Sequence, residues 1–142
     1  MSECTLRCNN VKCRVSLAHA EEACVTKCSH IFCTQCATTL FNSSPVCPAC
    51  QTVMTAPLDV MSVSLTLTEE YKSAILAGLP PAVIMDICSR AMSFWTYQAS
   101  QELGYHQAMA RSQKEKIRHV ESRASATLAD MREKLKGKPK DK

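Results

Sequence analysis

Residues 28–36 read CSHIFCTQC, a stretch that places four potential metal ligands within nine positions. The cysteines Cys8 and Cys13 precede this stretch and form one further candidate pair, and Cys47 and Cys50 follow it as another. The eight potential ligands are Cys8, Cys13, Cys28, His30, Cys33, Cys36, Cys47 and Cys50. Structural zinc is held by four Cys or His side chains in a tetrahedron. The string therefore predicts two zinc ions.

The spacing of these ligands leaves their pairing open. Two sequential sites would each use neighbouring ligands along the chain. Two interleaved sites would instead combine the first ligand pair with the third, and the second pair with the fourth. In either arrangement, the short central stretch requires the two ions to lie close to each other.

The composition of residues 4–52 supports a metal-dependent fold. Nine of the ten cysteines lie in the first fifty residues, where large apolar side chains are few. A segment this short cannot fold on so small a core alone, whereas structural zinc contributes about 10–16 kcal/mol per site. Cys4 and Cys24 lie four residues before Cys8 and Cys28, and we expect both to be free thiols, although either could replace a ligand.

The N-terminal sequence and the charge distribution bear on the cellular compartment and on the possible partners. The N-terminal residues MSECTLRCNN do not resemble a signal peptide, and no run of eighteen apolar residues predicts a membrane span. We therefore expect a reduced, intracellular protein. Residues 111–142 carry eleven basic residues against five acidic ones. We do not expect direct nucleic-acid binding, because the finger has few basic residues and few aromatic side chains for stacking.

The rest of the chain predicts mainly helix. Residues 53–67 read as an extended linker, with one short strand at most. Residues 68–79 predict a short helix that begins after a threonine cap and stops at Gly78. Residues 81–136 predict a helix of about 80 Å, and residues 137–142 a disordered basic tail.

Apolar residues of the long helix recur every three or four positions, in two series that are out of phase. The first series runs from Ile84 to Met109 and the second from Ile117 to Met131. This pattern predicts a coiled coil with a stutter, and it leaves open self-association or a helical partner. We expect Ile84, Ala91 and Trp95 to contact that partner, with Trp95 as the anchor.

The ligand order, the phrase CSHIFCTQC and the closing CPAC resemble a RING finger. This resemblance implies a small zinc-stabilised α+β finger with interleaved sites (a cross-brace), followed here by a long α-helical coiled-coil region. It assigns Cys8, Cys13, Cys33 and Cys36 to one ion, and Cys28, His30, Cys47 and Cys50 to the other. The spacing between Cys8 and Cys13 is four residues, where two is usual in this family.

RING fingers dock a conjugating enzyme that carries ubiquitin or a related modifier, and they hold the modifier in a reactive position without a nucleophile of their own. The resemblance implies that the docking surface comprises Val11, Leu40, Phe41, Pro48 and Gln51. Leu40 and Phe41 could instead pack between the finger and the linker. Many ubiquitin-ligating RING fingers have Arg or Lys at the position of Gln51, so we expect modest intrinsic activity.

A wider resemblance covers residues 6 to about 105. The segments LRCNNVKCR, VTKCSHIFC, EEYKSAILAGLPP and DICSRAMSFWTYQASQE are similar to the meiotic crossover RING ligase family, which includes a cyclin-B-interacting ubiquitin ligase and yeast modifier ligases of the synaptonemal complex. The resemblance implies a ubiquitin or SUMO ligase on meiotic chromosomes in the nucleus. Its implied partners are a conjugating enzyme and cyclins or synaptonemal-complex proteins, while the apolar pattern of the long helix predicts a second copy of the chain. The alternative is a non-catalytic chromosome-associated adaptor with a structural zinc finger.

Overall fold

The computed structural model describes residues 5–137, so the predictions for Cys4 and for residues 138–142 lie outside the described residues. The chain divides after Ala99 into two compact units. The described part contains three strands and three helices: β1 (Glu22–Thr26), β2 (Ile31–Cys33), α1 (Thr34–Ser43), β3 (Val60–Ser64), α2 (Glu69–Ala74) and α3 (Pro81–Lys136).

The three strands form an antiparallel sheet in the order β2-β1-β3. In β2, Ile31 and Phe32 are both buried. Successive strand residues face opposite sides of the sheet, so these two side chains lie on different faces. Phe32 packs in a core cluster with Ala37, Met54 and two buried cysteines. Ile31 packs in a second cluster with Leu17 and Ala23. A small core therefore lies on each side of the sheet.

Two loops carry the outer ligand pairs, and each loop is closed by a single β-bridge. Arg7 pairs with Ser16 around the loop that contains the first pair, and Val46 pairs with Val53 around the loop that contains the last pair. Of the central ligands, Cys28 and His30 lie in the turn between β1 and β2, Cys33 ends β2 and caps α1, and Cys36 lies in the first turn of α1. The sheet thereby brings loops that are distant in sequence close to one another.

The segment predicted as a linker, residues 53–67, is part of the finger in this structure. Its strand β3 pairs with β1 over five residue pairs, from Glu22–Ser64 to Thr26–Val60. The side chain of Asp59 accepts a 2.7 Å hydrogen bond from Nζ of Lys27 and two more from the backbone N–H groups of Thr55 and Ala56. The prediction of a linker fails because β3 is held by backbone hydrogen bonds to β1. The weak apolar alternation of the segment does not indicate this pairing.

The short helix is smaller than the sequence predicts. Thr68 caps it, since its side chain accepts a hydrogen bond from the backbone N–H of Tyr71. The α-helical turns end at Ala74, before the predicted end at residue 79, and the remaining residues form turns. Gly78 has a φ of +83°, a left-handed conformation that glycine adopts without a steric cost.

The part of α3 within the first unit packs against the finger. Phe94 contacts the cluster of Leu17, Ala23 and Ile31, and Gln98 is the buried residue of this helix. The sequence places Phe94 and Gln98 on the apolar face predicted to contact another helix. In the structure these two side chains face the finger instead. The sequence could not distinguish the two cases, because a helix that packs on a sheet and a helix that packs on another helix have the same 3–4 spacing of apolar residues.

The second unit, as far as it is described, is the remainder of α3. Between residues 100 and 137 every side chain is exposed except those of Glu102 and Tyr105, which are half-buried. Large apolar residues are among the exposed ones: Leu103, Met109, Ile117, Val120, Leu128, Met131 and Leu135. Within residues 5–137, none of the helices combines the length and the apolar character that a membrane span requires.

Candidate metal centre

The eight predicted ligands form two clusters of four. One cluster contains Cys8, Cys13, Cys33 and Cys36, and the other contains Cys28, His30, Cys47 and Cys50. Within each cluster the ligand atoms all lie within 4.8 Å of one another. The pairing is therefore interleaved, as the resemblance to RING fingers implies, and the predicted fold class of a cross-brace finger followed by a long helix is confirmed.

The distances within the clusters fit zinc. A tetrahedron with Zn–S bonds of about 2.3 Å has sulfur atoms about 3.8 Å apart. Sγ of Cys13 lies 3.9 Å from Sγ of Cys33 in the first cluster, and Sγ of Cys50 lies 3.4 Å from Sγ of Cys28 in the second. Four thiolates, or three thiolates with one imidazole, are both common ligand sets of structural zinc. The two clusters thus fit two zinc ions.

The second cluster shows which nitrogen of His30 belongs to it. Nδ1 lies 3.3 Å from Sγ of Cys28 and 3.7 Å from Sγ of Cys47. Nε2 lies instead 3.0 Å from the hydroxyl oxygen of Tyr97. Nδ1 is therefore the atom positioned to bind the metal.

Three polar side chains hydrogen-bond to the ligand sulfurs. The Asn10 amide donates to Sγ of Cys36 over 3.2 Å. The hydroxyls of Thr26 and Thr52 lie 3.1 Å from Sγ of Cys28 and 3.0 Å from Sγ of Cys50. Hydrogen bonds of this kind orient ligands and stabilise thiolates. The sequence motif did not predict these contacts, although each threonine lies two positions from the ligand that it contacts.

Two residues of α3 also contact the second cluster or the turn that carries it, a role that the sequence did not predict. Tyr97 contacts His30 with the ring planes at 77° and the centroids 5.4 Å apart. The side-chain amide of Gln98 donates to the backbone carbonyl of Ser29. These contacts join positions that are 67 and 69 residues apart in sequence, so local spacing carries no signal for them.

Burial shifts the pKa of the ligand side chains by different amounts. It raises the pKa of the Cys8 thiol to about 12 and that of the Cys47 thiol to about 11. Burial also lowers the pKa of His30, which favours the neutral imidazole that a metal requires. Without a metal, Cys8 and Cys47 therefore keep their protons at neutral pH. Metal binding has to release those protons.

Three residues other than glycine have a positive φ, among the residues described. They are Arg14 (55°), Ser29 (64°) and Gln51 (64°). Each one directly follows a ligand: Cys13, Cys28 or Cys50. The left-handed conformation costs about 1–3 kcal/mol for a residue that has a Cβ, so the ligand loops hold these three residues in place against that cost.

The residues predicted for enzyme docking differ in exposure. Val11 is 73% exposed in the first ligand loop, and Gln51 is exposed after the last ligand. Leu40 and Pro48 are half-buried. The ring of Phe41 packs edge-on against Phe32, with the centroids 5.7 Å apart, so it also supports the core. The docking role of all five residues stays a prediction.

The residues predicted for partner binding lie on the part of α3 within the first unit. Ile84 is half-buried, Ala91 is exposed and Trp95 is 42% exposed. The structure holds one chain, so self-association stays a prediction. Cys24 and Cys88 belong to neither ligand cluster.

The class of the finger is clear from its match to known proteins. Residues 7–52 match the family model of the zinc-RING finger domain. Mouse E3 ubiquitin-protein ligase CCNB1IP1 is 47% identical over 108 residues, which cover 75% of this chain and 38% of that protein. The human protein of the same name is 46% identical with the same coverage. The Arabidopsis thaliana homolog is 29% identical over 80 residues, which cover 56% of this chain and 26% of that protein.

These relatives confirm the resemblance of the chain to the RING ligase family that includes the cyclin-B-interacting ubiquitin ligase. The matched region spans less than two fifths of the mouse and human proteins. No solved structure matches the chain.

Proposed function

We propose that this chain is a RING-type ubiquitin-protein ligase, which docks a charged conjugating enzyme on the finger and positions the modifier for transfer. The observation that carries the proposal is the cross-brace finger with an exposed apolar side chain, Val11, between its first two ligands. The names of the mouse and human relatives support the same activity. All eight ligand positions are protein side chains, so the metal sites serve the fold rather than the chemistry.

The proposed docking surface consists of Val11, Leu40, Phe41 and Pro48. Val11 and Pro48 lie in the two ligand loops, while Leu40 and Phe41 lie near the end of α1. An apolar patch held on rigid, metal-braced loops can bind a partner with little loss of conformational entropy. Positioning of this kind accelerates transfer because the thioester and the attacking amine are already held close together in a reactive orientation.

Gln51 follows the last ligand and is exposed. An amide at this position donates weaker hydrogen bonds than the guanidinium of Arg, which presents five donors in a fixed fork. We therefore propose ligase activity that is modest in isolation. Ubiquitin is the modifier that the names of the relatives favour, and SUMO is the second modifier to be tested.

The biological setting is proposed from the family resemblance. We place the protein in the nucleus, on meiotic chromosomes, where it would promote crossover formation. Its partners would include a conjugating enzyme, and cyclins or synaptonemal-complex proteins. A second candidate is a non-catalytic adaptor, which the exposed apolar residues between residues 100 and 137 favour because they offer a surface for another helix.

A single-turnover discharge assay tests the ligase proposal. The full chain is mixed with a panel of conjugating enzymes preloaded with ubiquitin or with SUMO, and loss of the thioester is followed. We expect faster discharge with at least one enzyme, and loss of that acceleration in a Val11→Ala, Pro48→Ala double variant that keeps two zinc ions.

The matched control is Leu58→Ala, since Leu58 is 74% exposed, much like Val11, and lies outside the ligand loops. This control should discharge the enzyme at the wild-type rate. Equal rates in the wild type and the double variant would exclude the proposed docking surface. No acceleration with any enzyme would favour the adaptor.

A further inference from the structure

The second zinc site receives support from a helix that lies outside the matched finger. The family match ends at residue 52, whereas the side chains of Tyr97 and Gln98 contact the Cys28–His30 turn from α3. Phe94, Tyr97 and Gln98 are spaced i, i+3 and i+4, so they lie on one face of the helix. That face is the one that packs on the finger.

The imidazole of His30 has a different neighbour at each nitrogen. Nδ1 faces the sulfurs of Cys28 and Cys47, and Nε2 lies 3.0 Å from the hydroxyl of Tyr97. When Nδ1 is the metal ligand, the neutral ring carries its proton on Nε2. That N–H then donates to the oxygen of Tyr97. In the other tautomer the hydroxyl of Tyr97 would donate to Nε2 instead, so the contact orients the ring in both tautomers, and a metal at Nδ1 selects the one in which Nε2 is the donor.

Gln98 stabilises the backbone next to this ligand. It is 6% exposed on a helix whose other side chains are mostly solvent-accessible, and a buried amide requires hydrogen-bond partners. Its partner is the carbonyl of Ser29, the residue with a φ of 64° between the two ligands Cys28 and His30. The bond gives the carbonyl of this left-handed residue a partner from α3.

We propose that Tyr97 is a positioning residue for the second zinc site. Its hydroxyl fixes the ring of His30 so that Nδ1 faces the three thiolates, while Gln98 holds the turn that carries the ring. The first site takes its comparable hydrogen bond from Asn10, within its own ligand loop. The stable metal-binding unit of this protein therefore extends to the α3 residues and does not end at the last ligand. This inference does not depend on the proposed ligase activity.

The test measures zinc affinity at each site in the full chain. Tyr97→Phe removes the hydroxyl and keeps the ring, so the packing of α3 is preserved. Zinc is titrated away with a competing chelator, and cobalt substitution distinguishes the sites, because four sulfur ligands and three sulfurs with one nitrogen give different visible spectra. We expect the affinity of the second site to fall about 10–100-fold, with the first site within about twofold of the wild type.

A second readout separates positioning from general stability. In the ¹⁵N-labelled zinc-bound protein, the Nε2 proton of His30 should give a signal that exchanges slowly with water, and Tyr97→Phe should make that exchange much faster. Tyr71→Phe is the matched control, since Tyr71 is 52% exposed on α2 and lies outside both clusters. It should leave the affinities and the exchange unchanged.

Three results would each overturn the proposal. The second site could keep its affinity in Tyr97→Phe, the two sites could weaken equally, or the exchange of the Nε2 proton could stay at the wild-type rate. Equal weakening would mean that the hydroxyl stabilises the whole finger and has no specific effect on His30.

Discussion

The two units of this protein obtain their order from different sources. The first unit contains two metal clusters, a three-stranded sheet and two small cores within about one hundred residues. The second unit, where it is described, is one stretch of helix with almost every side chain exposed. An isolated helix gains little from its own hydrogen bonds, and helices in proteins are stabilised mainly by packing of their apolar face. The first unit thus contains the interactions that stabilise it, whereas the described part of the second leaves its apolar side chains exposed, and their packing against another helix stays a prediction.

Loss of one metal ligand should have the largest effect on the first unit. Cys47 is fully buried in the core as well as in the second cluster, so Cys47→Ala removes a ligand and leaves a cavity. Because structural zinc contributes about 10–16 kcal/mol per site, we expect the finger to unfold. Zinc analysis and the dispersion of amide resonances from residues 5–67 measure this.

The control for that variant is Cys88→Ala, at an exposed cysteine of α3 that belongs to neither cluster. It should keep two zinc ions and a folded finger. A Cys47→Ala protein with two bound zinc ions and a wild-type spectrum would show that the finger does not depend on its metal, and the contrast between the units would disappear.

Polar substitutions on the apolar face of the second unit should have the next largest effect, which is a loss of association between chains. Ile117 and Val120 are 57% and 64% exposed and belong to the predicted coiled-coil series. If they are buried between chains, Ile117→Asn with Val120→Asn removes about 1.5–3 kcal/mol of apolar burial per side chain. We expect the double variant to sediment as a monomer at a concentration at which the wild-type chain is associated.

Ser122→Asn is the matched control, because residue 122 lies on the opposite face of the helix from that series. It should associate like the wild type, and neither protein should lose zinc. A wild-type chain that is monomeric at micromolar concentration would exclude self-association and leave a foreign helix as the partner of this surface.

The difference between the two units also explains which features were predictable. The eight ligands are read from short spacings, and the family resemblance pairs them correctly because the order of Cys and His is specific to the cross-brace. The pairing of β3 with β1 was not predicted, because residues 60–64 alternate too weakly to indicate a buried face. The roles of Tyr97 and Gln98 were not predicted either. Their helical spacing fits packing on a partner helix as well as packing on the finger, and only the tertiary structure distinguishes the two.

A smaller effect, on activity alone, is expected at Gln51. Gln51→Arg adds a forked cation where the amide is a weak donor, so discharge of a ubiquitin-loaded conjugating enzyme should become several-fold faster. The left-handed φ of 64° is equally strained for both side chains, so the fold should not change. Gln101→Arg adds the same charge at an exposed position in the second unit and should leave the rate unchanged. Equal rates for the Gln51→Arg protein and the wild type would exclude a role of this position in transfer.

The smallest effect is expected at Asp59, which links residues 53–67 to the metal-braced finger. Its carboxylate is buried (8% exposed) and accepts hydrogen bonds from Lys27 and from two backbone N–H groups. The hydrogen bond from Lys27, followed by that from Ala56, holds the pKa of Asp59 below its ordinary value. A carboxyl whose pKa is lower in the folded state contributes stability above its unfolded pKa of about 3.9. This contribution is lost as the pH falls through the folded pKa.

Asp59→Asn should therefore lower the melting temperature by a few degrees at pH 7. The difference from the wild type should stay constant down to about pH 5 and narrow only below about pH 4. Asp86→Asn is the control, since the ion pair of Asp86 with Arg90 is exposed and exposed pairs contribute little. If the two variants melt at the same temperature as the wild type, the Asp59 contacts do not stabilise the finger, and the pairing of β3 alone joins this segment to the first unit.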